Sequence, residues 1–264
     1  VSRGLGDVYK RQVTMRELFL GTVQVNRQTR QPGDMAGNGP IRLADSTHKF
    51  AELICWLWHD GKLVADRNIL KDVSFSRLDE ANLCWGADVT IDGMLFQARL
   101  LRGERFGEFI SDEFTEFWNT YGSKMITEEQ LSLSWTLTAV SDERMALFRG
   151  GNSCGTDMPM GLSLRDRSKG IGYRPVLIPQ GLNPKRAHTA LGKKVILYGP
   201  DGIVIGNLKT VGDYELELVV PEDTRFEDSG FDGFACDIGD RHVVVDRGQV
   251  QCIQLLQNRP EIKP

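Results

Sequence analysis

Two sequences decide the predicted fold: Phe148-Arg149-Gly150-Gly151-Asn152-Ser153 and Ile171-Gly172-Tyr173-Arg174-Pro175-Val176-Leu177. Both are strand-like and interrupted by glycine, whereas residues 154–170 between them are mostly polar and show almost no apolar periodicity. A segment of that kind is held by its ends and shaped by its turns. We therefore expect a long surface loop on a rigid scaffold.

The pairing of Arg149-Gly150-Gly151-Asn152 with Gly172-Tyr173-Arg174 resembles the closing part of the C-type lectin-like fold. The similar version occurs in formylglycine-generating enzymes, in diversity-generating retroelement variable proteins and in many bacterial and prophage proteins. The resemblance covers residues 73–177. It implies an α+β, C-type lectin-like N-terminal domain over residues 13–180, with a binding face between the two glycine-containing ends.

The resemblance implies a ligand-binding role for polar and cationic residues of that face. They are Asn152, Ser153, Arg165, Arg167 and Lys169. Two interpretations of the arginines at 165 and 167 stay open: a solvated charge run, or forked recognition of an anionic or carbonyl-rich partner. Arg149 and Arg174 stand at the ends, where we expect them to brace the loop from below.

Apolar periodicity predicts several elements of this domain. Residues 45–58 predict a helix that Asp45 or Ser46 caps. Its apolar face comprises Phe50, Leu53, Ile54 and Leu57. Residues 73–83 predict a second, short helix.

Two further patterns are stronger. An Asp92-Gly93 turn between two alternating runs predicts a β-hairpin. A helix capped by Ser111 is predicted to place an aromatic stripe in the core. The stripe comprises Phe114, Phe117, Trp118 and Tyr121.

After residue 190 the pattern changes to short strand-like runs joined by turns. The runs are 191–198, 203–208, 214–220, 241–246 and 250–255. Five short strands in such a segment favour a small β-barrel over residues 191–258. The polar residues before it, which include prolines, predict a linker at 181–190, and residues 259–264 form a tail.

This C-terminal segment resembles the Sm/Hfq-like barrel. Gly192-Lys193 with Asp213-Tyr214 is similar to the first Sm signature, and Val244-Val245-Asp246-Arg247-Gly248 is similar to the second. The resemblance implies a five-stranded SH3/Sm-like barrel with an RNA or nucleotide site at Tyr214, Arg247 and Gly248. A generic SH3-like barrel used for assembly is the alternative interpretation.

Composition limits the partners. The 264 residues carry a net charge of −4, which argues against nonspecific binding of duplex DNA, since that binding needs a basic face. No apolar run approaches the roughly 20 residues that span a bilayer, and the sequence shows no signal-peptide pattern. We expect a cytoplasmic or virion-associated protein without a membrane partner.

Cysteine and histidine give no metal or cofactor motif. The five cysteines are Cys55, Cys84, Cys154, Cys236 and Cys252, and none forms a CxxC pair. Formylglycine-generating enzymes bind copper through two cysteines inside the bracket that this chain resembles. Only Cys154 lies there, and one thiol does not make the paired site that Cu(I) selects. We predict no catalytic residue, no metal and no cofactor.

Residues 1–12, VSRGLGDVYKRQ, look like translated sequencing-adapter sequence from a metagenomic assembly. Met15 is then the expected native start. We expect residues 1–12 to be loosely held.

Three functions remain. The first is a non-enzymatic binding protein of bacterial or prophage origin that recognises a protein or small ligand through the lectin-like face. The second is an Sm-like homo-oligomer that binds RNA or a nucleotide, a phage protein sequestering a host nucleotide signal being a special case. The third is a divergent enzyme.

Overall fold

The computed structural model describes residues 11–103, 113–122, 133–139, 145–149, 160–163, 171–222, 227–228 and 233–256. The chain divides into two compact units. The N-terminal unit comprises Glu17–Pro179 and Asn258–Pro264, and the C-terminal unit comprises Val1–Arg16 and Gln180–Gln257. The helices within the described residues are too short and too polar to span a membrane.

Strands account for 51% of the structure and helices for 14%. The predicted α+β class is therefore wrong, and the chain is mostly β. The N-terminal domain, predicted to mix helices with strands over residues 13–180, is built mainly from sheets.

The N-terminal unit contains fifteen described strands and two α-helices. They are β2 (Glu17–Phe19), β3 (Thr22–Val25), β4 (Gln28–Arg30), β5 (Asp34–Met35), β6 (Ile41–Ala44), β7 (Cys55–His59), β8 (Lys62–Ala65), β9 (Leu70–Lys71), α1 (Phe75–Glu80), β10 (Trp85–Ile91), β11 (Met94–Leu100), α2 (Glu113–Tyr121), β12 (Leu133–Ala139), β13 (Met145–Arg149), β14 (Met160–Ser163), β15 (Ile171–Tyr173) and β16 (Pro175–Gln180).

These strands form three sheets. One has the order β10-β11-β16-β8-β7-β2, the second β14-β13-β12-β15-β9-β5, and the third β4-β3-β6. β12 pairs with β15, and β5 with β9, in parallel, whereas hairpin neighbours such as β7 with β8 and β10 with β11 pair antiparallel.

The predicted helix at 45–58 is wrong. The chain instead forms a short 3-10 helix, Phe50–Glu52, followed by strand β7. β7 lies between β8 and β2, and Trp56, Leu57 and Trp58 are all buried. In a strand that is buried on both faces, apolar and polar residues do not alternate. The apolar residues of β7 therefore also fit the spacing of a helix. The indole of Trp56 donates to the carbonyl of Leu20 at 2.8 Å.

Three other local predictions are confirmed. The Asp92-Gly93 turn joins β10 and β11, and both turn residues have positive φ, 50° and 75°. The helix predicted within residues 73–83 is α1. On α2, Phe114, Phe117 and Tyr121 of the predicted aromatic stripe are buried, whereas Trp118 is partly buried against them. The predicted cap Ser111 lies outside the described residues.

The C-terminal unit is a single antiparallel sheet of eight strands with the order β20-β1-β21-β22-β19-β18-β17-β23. The strands are β1 (Arg11–Thr14), β17 (Lys194–Tyr198), β18 (Ile203–Val211), β19 (Glu215–Val219), β20 (Glu227–Asp228), β21 (Ala235–Gly239), β22 (His242–Asp246) and β23 (Cys252–Leu255). Its core packs Val195, Leu197, Leu208, Leu218, Phe234, Val243 and Ile253 together.

This unit differs from the predicted five-stranded barrel in three ways. All five predicted strands form, but β1, β20 and β21 join them. The predicted linker contains a 3-10 helix, Pro184–Ala190, and its Ala187 and Ala190 pack into the core. Arg11 and Gln12, expected to be loosely held, lie in β1 and pair with Asp237 and Cys236.

Candidate functional site

The five residues predicted to bind ligand on the lectin-like face lie outside the described residues, as does Cys154. They are Asn152, Ser153, Arg165, Arg167 and Lys169. The two arginines expected to brace that face are described, and both are buried: Arg149 is 6% exposed and Arg174 1%. Burial lowers the pKa of Arg174 to about 10, so it remains a cation at neutral pH.

The C-terminal unit brings its three predicted site residues together. Tyr214, Arg247 and Gly248 line one open cleft of about 530 Å³, which we call the Tyr214 cleft. Its other lining residues are Asn183, Pro184, Lys185, Asp213, Asp246, Val250 and Gln251. Three separate parts of the chain meet here: the start of the 3-10 helix, the β18–β19 turn and the β22–β23 loop.

The β18–β19 turn presents an exposed aromatic ring. The amide of Gly212 donates to the carbonyl of Glu215 at 2.8 Å, which leaves Asp213 and Tyr214 at the tip. The side chain of Tyr214 is 87% exposed. Among the large hydrophobic residues that the structure describes as exposed, this is the greatest exposure.

Arg247 holds the cleft together. Its guanidinium donates to three carbonyls: that of Gly212 at 2.7 Å, that of Pro184 at 3.1 Å and that of Lys185 at 3.2 Å. Its backbone amide donates to the carbonyl of Tyr214 at 2.9 Å. These bonds join the 3-10 helix to the Tyr214 turn, so Arg247 positions both of them. The ligand contact predicted for Arg247 stays a prediction.

Gly248 also serves the loop. Its amide donates to Oδ1 of Asp246 at 2.9 Å, and the amide group of Gln249 donates to Oδ2 at 3.0 Å. Both oxygens of the Asp246 carboxylate are thus used within the β22–β23 loop. This aspartate shapes the wall of the cleft.

Lys185 and Asp213 are the cleft charges that sequence reasoning missed. Both are exposed, and neither side chain has a hydrogen bond to another described residue. Lys185 is positioned by the cap of the 3-10 helix, because its amide donates to the side-chain oxygen of Asn183 at 2.9 Å. The Asn183-Pro184 pair is typical of a helix start. The prediction of a linker at 181–190 did not take this pair into account.

The N-terminal unit contains a buried ionic network. Arg99 donates to both oxygens of Glu113, at 2.6 and 2.7 Å, and the ammonium of Lys62 lies 3.7 Å from the same carboxylate. Burial would raise the pKa of Glu113, but hydrogen bonds from Arg99 and from the amide of Arg102 lower it below its ordinary value. The ammonium of Lys62 also pairs with Asp60 at 2.8 Å, so two cations face two carboxylates. The network ties α2 to β11 and β8, and because its charges are matched we interpret it as structural.

A smaller pocket of about 200 Å³ lies in the same unit. Phe19 and Phe50 line it, with ring centroids 4.6 Å apart, and so do Cys55, Asp66 and Arg67. Arg67 and Asp66 pair at 2.7 Å. Burial raises the pKa of Cys55, which therefore stays a thiol.

Metal and thiol chemistry find little support in the part of the chain that the structure describes. No three His, Cys, Asp or Glu residues there cluster as a metal site. Burial raises the pKa of Cys84, and that of Cys252 to about 11. No protein-family model, curated protein or solved structure matches this chain.

Proposed function

We propose that this chain is a non-enzymatic binding protein whose Tyr214 cleft takes a nucleotide unit, either free or within single-stranded RNA. One observation carries the proposal: the ring of Tyr214 is 87% exposed on a turn whose backbone is fixed. The carbonyls of Gly212 and Tyr214 are both bonded by Arg247.

A fixed backbone makes the exposed ring a good stacking surface. The tyrosine side chain has few rotatable bonds, so binding orders little that is not already ordered. Stacking of a base on an aromatic ring contributes about 1–3 kcal/mol and tolerates any base. Pro184 and the buried Val250 add apolar surface to the cleft.

Lys185 supplies the cation that a phosphate needs. It is exposed on the cleft, and its backbone is held by Asn183 and Arg247. A lysine ammonium binds phosphate as a point charge, and that attraction weakens with added salt. One free cation suits a single phosphate better than a duplex, in agreement with the net charge of −4.

The resemblance of Asp213-Tyr214 and Arg247-Gly248 to the two Sm signatures supports the same cleft. We do not propose that copies of the chain assemble by strand pairing at the outer edge of β23. There Leu182 and Ile253 exchange two backbone hydrogen bonds, at 2.8 and 3.0 Å, so the chain itself covers that edge at this position.

The test is to titrate the purified chain with the four nucleoside monophosphates and with a short mixed-sequence single-stranded RNA. Tyr214→Ala should weaken binding about 5- to 150-fold, the equivalent of one lost stack. Tyr214→Phe keeps the ring and should bind like the wild type.

Comparison of the affinities for the monophosphates and for the RNA shows whether the cleft takes a free nucleotide or a nucleotide within RNA. Equal affinity of Tyr214→Ala and the wild type, or no binding of either probe, would contradict the proposal.

A further inference from the structure

The geometry points to guanine as the base that the Tyr214 cleft selects, with the carboxylate of Asp213 as the specificity-determining group. This inference rests on the proposed nucleotide binding at the same cleft. It adds a base preference, which stacking alone does not provide.

Asp213 is placed to meet the edge of a stacked base. It stands beside Tyr214 at the tip of the β18–β19 turn, and both residues line the cleft. We infer that a base stacked on the Tyr214 ring turns its polar edge towards the Asp213 carboxylate, because the two adjacent residues line the same cleft. The side chain of Asp213 is exposed and makes no hydrogen bond to any other described residue.

The other charged groups of the cleft are already used or carry the opposite charge. Asp246 accepts from the amide of Gly248 at 2.9 Å and from Gln249 at 3.0 Å. Arg247 donates to three carbonyls. Lys185 is a donor, suited to phosphate. Asp213 is thus the carboxylate of the cleft whose two oxygens are left for a ligand.

A carboxylate accepts hydrogen bonds and cannot donate them. Guanine presents two neighbouring donors on its pairing edge, the N1–H and the 2-amino group, which match the two oxygens of one carboxylate. Adenine and cytosine present one amino group beside a ring nitrogen that repels a carboxylate. Uracil presents one N–H between two carbonyls. Guanine is the base that forms two charge-assisted bonds with Asp213.

The test compares GMP with IMP, which differ only by the 2-amino group, and includes AMP, CMP and UMP. The wild-type chain should bind GMP about ten-fold more tightly than IMP, as expected for a bidentate contact that loses one bond. Asp213→Asn should abolish that ratio, because it puts an amide donor where guanine also donates. It should also shift preference towards AMP, since an amide side chain matches adenine.

Asp88→Asn is the matched control for charge, because Asp88 is exposed on β10 and does not line the cleft. It should keep the wild-type ratio. Equal binding of GMP and IMP by the wild type, or an unchanged ratio in Asp213→Asn, overturns the guanine inference and leaves nucleotide binding standing. Absence of binding to all five nucleotides and to RNA overturns the proposed function itself.

Discussion

His59 on β7 lies against the edges of two aromatic rings of α2. Its ring centroid is 5.7 Å from that of Phe117 and 5.9 Å from that of Tyr121. Burial, and after it the nearby ammonium of Lys62, lowers the pKa of His59. Carboxylates at Asp60, Glu113 and Glu116 oppose the shift without reversing it. The fold therefore favours the neutral imidazole.

A histidine with a lowered folded-state pKa makes stability depend on pH. Between the two pKa values the unfolded chain binds more protons, so stability falls as the pH falls through the ordinary histidine value of about 6.5. We predict that the melting temperature of the wild type drops more than that of His59→Gln between about pH 7.5 and about pH 5.5. Differential scanning fluorimetry measures both slopes.

His48→Gln is the matched control, because His48 is an exposed histidine of the same unit. It should keep the wild-type slope. The prediction fails if His59→Gln follows the wild-type curve throughout this range.

The β10–β11 hairpin is joined to the third sheet of the N-terminal unit through its turn. Asp92 is 5% exposed, and its carboxylate accepts from the amide of Ser46 at 2.8 Å and from its hydroxyl at 2.6 Å. The amide of Asp92 donates to Asp45 at 2.7 Å. The hydroxyl of Ser46 also accepts from the amide of Gly21 at 2.8 Å, which extends the network towards β3.

Removal of the Asp92 carboxylate should break this connection. Asp92→Ala leaves two donors of Ser46 without their acceptor and puts alanine at a positive φ, so we expect a loss of about 2–4 kcal/mol in unfolding free energy. Chemical denaturation measures it. Asp92→Asn keeps one acceptor oxygen and tolerates this φ, so its loss should be smaller.

Asp88→Ala, an exposed aspartate of the same hairpin, serves as the surface control and should change stability by less than about 0.5 kcal/mol. Similar values for the two alanine variants would contradict the structural role of Asp92.

Elements whose conformation depends on the residue types of a short segment could be predicted from the sequence. Elements whose conformation depends on burial within the fold could not. The Asp92-Gly93 turn needs positive φ, which its residue types supply, so the hairpin was found. β7 was missed because a strand buried on both faces carries no alternation. Motif resemblance grouped Tyr214, Arg247 and Gly248, and these three residues line one cleft.

The role of Arg247 and the presence of Lys185 were not predictable in the same way. The bonds of Arg247 reach carbonyls 35 and 63 residues away in the chain, those of Gly212 and Pro184. No local pattern records such contacts. The place of Lys185 in the cleft was not predicted, because the short 3-10 helix that carries it buries only two alanines. In sequence such a helix resembles a polar linker.

The C-terminal unit is assembled from two distant parts of the chain. β1 lies between β20 and β21, and Gln12 pairs with Cys236 while Thr14 pairs with Glu227. β1 therefore covers an edge of β21 that would otherwise be open. Residues 11 and 12 belong to this strand, although their sequence looks like adapter.

Truncation measures the contribution of β1 to the whole molecule. Deletion of residues 1–14 should lower the melting temperature by at least about 2 °C, since loss of a paired strand costs more than about 1 kcal/mol. Deletion of residues 1–10 stops before the strand and should leave the melting temperature unchanged. Identical melting of the two truncated chains would show that β1 contributes nothing to stability.

The position of β1 also sets the order of events during synthesis. β1 leaves the ribosome before residues 17–179, whereas its partners β20 and β21 leave after them. Residues 17–179, the main part of the N-terminal unit, form one continuous segment that can fold while the chain is still growing. The pairing of β1 with β20 and β21, by contrast, joins residues very far apart in the chain, and we expect it to form late. Until β1 pairs with it, one edge of β21 is open to pairing with other chains, so we expect the risk of aggregation at this edge to be greatest during synthesis.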